Sequence, residues 1–252
     1  MIVTIKKRNI AIVVILIAII ATLSGILTSE SLETAVASSR KIPVYNVETE
    51  EKQVALTFDA AWGADKTSEI MDILEEYNMT ATFFLVGFWV DEYEDLVKEI
   101  DARGFLIGNH STNHYDMVTI SDVEVLDEII TTSQKIQELV GYTPEYFRAP
   151  YGSYNNDLIT AVEDNGMQCI QWSIDSLDWT GISGSEIAEN ILNEVDCGDI
   201  ILCHNNSDYI LDALPLIMIG LQTQGLTSVG LDELVLADNY SINNNGTQIA
   251  NN

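Results

Sequence analysis

All three histidines of this chain sit in segments able to carry hydrolytic chemistry: His110 and His114 in H-S-T-N-H, and His204 closing the apolar run I-I-L-C-H. If 110–114 makes one helical turn, the i,i+4 spacing puts both imidazoles on one side, where two neutral ring nitrogens can share a divalent ion. A bare H-x-x-x-H is a weak signal, because loop histidines fall at that spacing by chance. His204 adds to it, since a strand-end imidazole is available for proton transfer near neutral pH without a large pKa shift. Asp59 ends a strand-like run and Arg148 stands directly before Ala149-Pro150-Tyr151-Gly152. Alone, Asp59 serves equally well as a turn cap and Arg148 as a surface charge; together with the histidines they point to a metal-assisted hydrolase. Asp175 and Asp178 flank Ser176-Leu177 ahead of Trp179. Trp62 and Trp179 fall on loops expected to face the same side. Aromatic rings there stack on sugar faces, although core packing accounts for each equally well.

These residues need a frame. Short β-branched or aromatic runs at 54–58, 81–86, 105–107, 167–172, 200–203 and 227–229 alternate with helical-period stretches near 67–77, 89–103, 121–140, 155–165, 184–194 and 209–224. The repeated β-then-α order predicts an α/β fold, a parallel sheet closed or nearly closed into a barrel. In such folds reactive groups gather at the C-terminal ends of strands, which is where Asp59, His110 and His204 fall. Ser121-Asp122-Val123-Glu124 has the form of a capping box opening one helix, and Gly141 stands where its C-terminal cap belongs.

With 252 residues and 47% hydrophobic content, the chain is sized for one catalytic domain. Lys6, Lys7 and Arg8 precede an apolar run from Ile10 to Leu27, which at about 1.5 Å per residue spans most of a ~30 Å hydrocarbon core. Residues 10–28 therefore read as a transmembrane helix or a signal segment. The small-residue site Ala35-Val36-Ala37 lies far beyond the apolar run, which favours a retained anchor. Residues 1–9 are expected to stay cytoplasmic, with a single-pass domain outside the membrane, or secreted if the segment is cleaved. Residues 29–51 read as a stalk, 52–236 as the folded domain, and the Asn-, Gly- and Ser-rich 237–252 as a disordered tail.

The formal charge of −28 reflects 39 acidic against 11 basic residues, and Lys6, Lys7, Arg8, Arg40 and Lys41 lie ahead of the domain. So acidic a surface excludes nucleic acid as a partner. Cys169, Cys197 and Cys203 are odd in number and lack metal-type spacing. They read as buried small apolar residues or as one disulfide and a spare.

In chain order, T-F-D-A-A-W-G, H-S-T-N-H, R-A-P-Y-G, D-S-L-D-W and I-I-L-C-H resemble the motifs of the polysaccharide deacetylase family, the carbohydrate esterases with a NodB homology domain (carbohydrate esterase family 4). The resemblance runs from about Lys52 to Val235. T-F-D-x-x-W-G in place of T-F-D-D-G resembles the branch associated with sporulation and peptidoglycan. It implies a distorted (β/α) barrel and removal of N-acetyl groups from amino sugars of a cell-envelope polysaccharide, using a divalent ion such as zinc or cobalt. Asp59 matches the catalytic base, and His110 and His114 the metal-binding pair. Arg148 matches the residue orienting the base, Asp178 the carboxylate tuning the acid His204. Tyr151 matches the oxyanion-binding position, Trp179 and Leu202 the walls of the acetyl pocket. The implied partners are an N-acetylated polysaccharide or peptidoglycan strand and, through the N-terminal segment, the membrane; the domain is expected to be a monomer.

The resemblance breaks at Ala60, where the family carries the aspartate that is the third protein ligand of its metal. Losing such a carboxylate costs at least the 10–100-fold in affinity typical of an outer-shell change. Four outcomes remain: a loosely held ion on two histidines, a carboxylate lent by Asp59 or Asp65, three histidines sharing one zinc, or a glycan-binding scaffold that has lost catalysis. Ala149, where the family has proline, alters only the stiffness of the turn.

Overall fold

The computed structural model describes residues 40–251. The basic segment, the expected membrane helix and residues 29–39 of the expected stalk lie outside the described residues. Within them, no helix is long and apolar enough to cross a membrane.

After a short β1 (Asn46–Val47), the strands are β2 (Gln53–Ala60), β3 (Ala81–Leu85), β4 (Leu106–Asn109), β5 (Tyr146–Phe147), β6 (Gln168–Cys169), β7 (Ile174–Asp175) and β8 (Ile200–His204). The last seven form one parallel, curled sheet in the order β6-β5-β4-β3-β2-β8-β7, an open barrel; β9 (Thr227–Ser228) pairs with the start of β2. The connections between these strands carry α1 (Thr67–Glu76), α2 (Gly87–Glu92), α3 (Glu94–Ala102), α4 (Asp122–Val140), α5 (Asn156–Asp164), α6 (Gly184–Leu192) and α7 (Ile210–Gln224), and α8 (Leu231–Leu234) follows β9.

Central β2 is buried on both faces from Val54 onward, as a parallel strand with apolar layers on both sides must be. Leu56, Phe58 and Ala60 join the outer layer with Ile70, Leu74, Ile187 and Leu214 of the helices. Ala55 joins a second cluster with Phe84, Tyr146, Ile170 and Ile200, which fills the barrel. Because side chains alternate along a strand, Asp59 shares Ala55's side and stands above this inner cluster.

The helix signals at 121–141 are met in full: Ser121 and Glu124 form the capping box and Gly141 takes φ 89°. The single helix expected over 89–103 is two, broken where Tyr93 adopts φ −125°, ψ 44°. The three cysteines are free, with Cys169 and Cys203 buried.

Both expected edges of the domain need correction. β6 and β7 are not paired, and the chain ahead of β2 lies along the seam between β6 and β8. The Val44 amide donates to the Cys169 carbonyl, the Gln171 amide to the Val44 carbonyl, and the Val47 amide to the Gly198 carbonyl, at 2.9, 2.7 and 2.9 Å. Val44 and Val47 are buried, so the compact unit begins at Ile42 rather than at 52. Instead of a disordered tail, β10 (Tyr240–Ile242) and β11 (Thr247–Ala250) form an antiparallel hairpin, with β11 parallel to β1. One buried amide organises it: Gln248 accepts from the Leu236 amide and donates to the Leu236 carbonyl. Asparagines also serve the turn, where Asn243 Oδ1 accepts from the amides of Asn245 and Thr247. A composition poor in apolar residues concealed a hairpin held by polar side chains.

Candidate active site

β2 pairs with β8 so that Asp59 and His204 are direct partners, and with β3 so that Asp59 lies beside Phe84. Arg148, directly after β5, donates from Nη1 to Asp59 Oδ1 at 2.8 Å and from Nη2 to the Gln171 carbonyl at 3.0 Å. Its guanidinium lies 4.2 Å over the Phe84 ring and is fully buried. Burial works to raise the Asp59 pKa, but the charges of Arg148, His110 and His204 prevail and hold it below the ordinary carboxylate value. Arg148 is thus a buried partner of Asp59, and not a surface charge.

The H-S-T-N-H segment is not the helical turn expected. Ser111 and His114 take positive φ, 66° and 57°, and this left-handed loop brings the two imidazole centroids within 5.0 Å. Side chains hold the strain. Asn109 Oδ1 accepts from the Ser111 amide, and the buried Glu128 of α4 accepts from the amides of Thr112 and Asn113 at 2.9 and 2.7 Å. The His110 ring meets the Arg148 carbonyl through Nδ1 at 2.8 Å. A carbonyl only accepts, so Nδ1 carries the proton and Nε2 turns its lone pair toward Asp59 Oδ2, 3.4 Å away. His114 Nδ1 is buried without a hydrogen-bond partner. Burial lowers both pKa values, that of His114 to about 4, so both rings are neutral near pH 7.

His204, at the end of β8, receives a two-point clamp: its amide donates to Asp178 Oδ2 and its Nδ1 contacts Asp178 Oδ1, both at 2.7 Å. Burial would lower this imidazole's pKa, but the Asp178 hydrogen bond and charge outweigh it and raise the value. Leu202 lies two residues earlier on the same side of β8 and is buried, while Trp179 projects into solvent beside Asp178. Tyr151, at φ 61°, extends an exposed ring that meets His114 edge-on at 4.8 Å.

The free nitrogens of His110 and His114 form a two-imidazole donor set that fits a divalent ion held loosely. Among the described residues no group of three or more His, Cys, Asp or Glu side chains is arranged to hold a metal. Asp65 is exposed and does not join the site, and the three histidines are not grouped around one point as a three-histidine zinc site requires. Ala60 packs its methyl in the outer apolar layer.

Four contributors escaped the motif reading: Asn109, Glu128, Gln171 and Asn205. Glu128 had a legible signal, an acidic residue on the helix face that also carries Val125, Ile129 and Ile136. The others act through one amide or carbonyl apiece, which leaves no periodicity to read.

A family profile described as polysaccharide deacetylase matches residues 46–170. A peptidoglycan-N-acetylglucosamine deacetylase of Bacillus cereus is 37% identical over 187 residues, 72% of this chain and 68% of that protein. Among solved structures, the Bc1960 peptidoglycan N-acetylglucosamine deacetylase superposes with a TM-score of 0.74 at 32% identity, covering 76% of this chain and 91% of its own. A CE4 family pseudoenzyme from Bacillus anthracis also gives 0.74, at 27% identity, over 84% of this chain and 73% of its own; a mutant of such a pseudoenzyme is described as having restored enzymatic activity. An open parallel barrel, with Asp59 clamped by a buried arginine and His204 by a carboxylate, agrees with this kinship: the chain belongs to the polysaccharide deacetylase family.

Proposed function

We propose that this domain removes acetyl groups from N-acetylated amino sugars of a cell-envelope glycan, foremost the N-acetylglucosamine of peptidoglycan. One observation carries the reading: Asp59 and His204 are neighbours across the β2–β8 ladder, and a separate polar clamp holds each in the protonation state its task needs. Asp59 keeps Oδ2 free to take the proton of the attacking water, while Arg148 occupies Oδ1. His204 keeps its proton through Asp178 and delivers it to the departing amine. The Tyr151 backbone amide would hold the developing oxyanion, and Leu202 and Trp179 would border the acetyl methyl. A divalent ion such as zinc, held by His110 and His114, would supply Lewis-acid polarisation of the amide carbonyl. Acid–base assistance of this kind is worth about 10²–10⁴-fold.

The names of the relatives support the substrate class. Residues 10–28 are proposed to anchor the chain, single-pass, with the monomeric domain on the extracytoplasmic side, and the T-F-D-A-A-W-G variant supports a role in the sporulation cell wall.

A second reading has its own observation. Ala60 removes a ligand, and the pseudoenzyme neighbour supports a domain that binds glycan without turnover. Acetate release by the full chain from N-acetylglucosamine oligomers and peptidoglycan, with zinc or cobalt and with chelator, decides between them. A deacetylase gives metal-dependent release that Asp59→Asn abolishes. No release from the parent, with release appearing in Ala60→Asp, identifies a domain silenced by that one position.

A further inference from the structure

Trp62 belongs to the catalytic face but has no part in the acid–base apparatus. Its indole is 64% exposed, although it meets the His114 ring edge-on at 4.8 Å and leans on Phe88 at 6.1 Å. Leaving so large an apolar surface in water forgoes about 25 cal/mol for each Å², so its position brings the fold little stability.

The backbone beneath this exposed ring is nonetheless held firmly. The carbonyl of the next residue, Gly63, accepts from Trp89 Nε1 at 2.8 Å and from Asn205 Nδ2 at 3.0 Å. Gly63 takes φ +72°, and any side chain there would collide with Asn206. Lys66 ties the same loop to the carbonyls of Ser207 and Asp208, beyond β8. A fixed backbone under a solvent-facing indole is what a stacking platform requires, because little ordering entropy is lost when a ligand lands on it.

The platform is displaced from the chemistry. His110 is the imidazole beside Asp59, His114 is the next ring out, and Trp62 and the 67%-exposed Tyr151 both stand against His114. A sugar on Trp62 therefore neighbours the sugar at Asp59 and does not coincide with it. We propose that Trp62, with the Tyr151 ring, forms a second sugar subsite that takes the residue adjoining the one deacetylated. The proposal rests on the deacetylase reading above and gives Trp62 a role that reading does not assign.

Binding without turnover tests it. In full-length protein carrying His204→Ala, calorimetry with N-acetylglucosamine and its β-1,4 tetramer is compared before and after Trp62→Ala. The tetramer should bind about tenfold more weakly after the change, the scale of a lost stacking partner, and the monosaccharide equally well. In otherwise unaltered enzyme, KM for the tetramer should rise by the same factor with kcat within about twofold, and Trp62→Phe should restore most of the loss. Equal weakening of both ligands, unchanged tetramer binding, or a fall in kcat alone would overturn the subsite; the last would make Trp62 a support for His114. Failure of the tetramer to bind the His204→Ala parent would instead overturn the deacetylase reading, and the subsite with it.

Discussion

Asp59 and His204 stand on adjacent strands and are pushed to opposite protonation states by what each touches. For Asp59, burial opposes the charge, but Arg148 at 2.8 Å prevails and the pKa falls. Its contribution to stability is complete above the ordinary carboxylate pKa of about 3.9 and is lost as pH drops through the lowered value. For His204, the Asp178 clamp raises the pKa, so its contribution is complete below about 6.5 and is lost as pH rises through the raised value. The form the proposed mechanism requires, Asp59 charged and His204 protonated, therefore spans a window wider than unperturbed groups would allow. Replacing Asp178 by Asn should move the alkaline limb of the kcat/KM profile to lower pH and leave the acid limb in place. Coincident limbs in the two proteins would remove His204 from the role of acid.

At the scale of elements, the loop after β4 depends on α4. Two backbone amides of H-S-T-N-H have one buried acceptor, the Glu128 carboxyl, and the Thr112 hydroxyl donates to the Glu128 carbonyl as well. Truncation by Glu128→Ala strands both amides and should cost roughly 3 kcal/mol in urea unfolding. It should also release His114 from its left-handed conformation and lower kcat/KM. Glu128→Gln, which keeps an acceptor, should lose less of both. At the other end of the effect, Ser121→Ala removes the exposed α4 cap and should cost only about 1 kcal/mol, with kcat/KM unchanged. The motif reading found the histidines, but it took their spacing for a helical turn. Ser111 and His114 reach positive φ because Asn109, Glu128 and Thr132 hold the loop from other segments, and no five-residue window contains that information.

Over the whole molecule, charge and chain ends matter most. Four of the six cations after position 41 are engaged by carboxylates: Arg103 with Asp72, Glu75 and Glu99, Lys135 with Asp91, Lys98 with Glu94 and Asp95, and Arg148 with Asp59. A chain of formal charge −28 so arranged repels carboxylate-bearing substrate. Raising ionic strength from about 0.01 M to 0.15 M shortens the screening length from about 30 Å to 8 Å. Over that range kcat/KM should rise on muramic-acid-containing strands and stay nearly level on neutral N-acetylglucosamine oligomers; equal slopes would count against electrostatic discrimination. The segments flanking 52–236, namely 42–51 and the hairpin after 236, are part of the fold as well. Gln248→Ala leaves the Leu236 amide and carbonyl unpaired and should cost about 1–3 kcal/mol, seen as a melting temperature lower by roughly 2–4 °C per kcal/mol.

The sequence by itself determined the alternation of the main strands and helices and the parallel α/β class, and it singled out Asp59, His110, His114, Arg148, Asp178 and His204 as candidates. The alternation and the strand-end positions follow from local pattern, since burial period is written in consecutive residues, whereas Arg148 and Asp178 joined the set through the resemblance of their motifs to those of the family. Only the tertiary structure decided that Arg148 grips Asp59, that His110 presents Nε2, that no three His, Cys, Asp or Glu side chains among the described residues are grouped to hold a metal, and that 42–51 and the segment after 236 belong to the folded unit. Each of these depends on contacts between residues tens to hundreds of positions apart. Such pairings arise from the closing of the sheet, and the spacing of residues along one segment carries no trace of them.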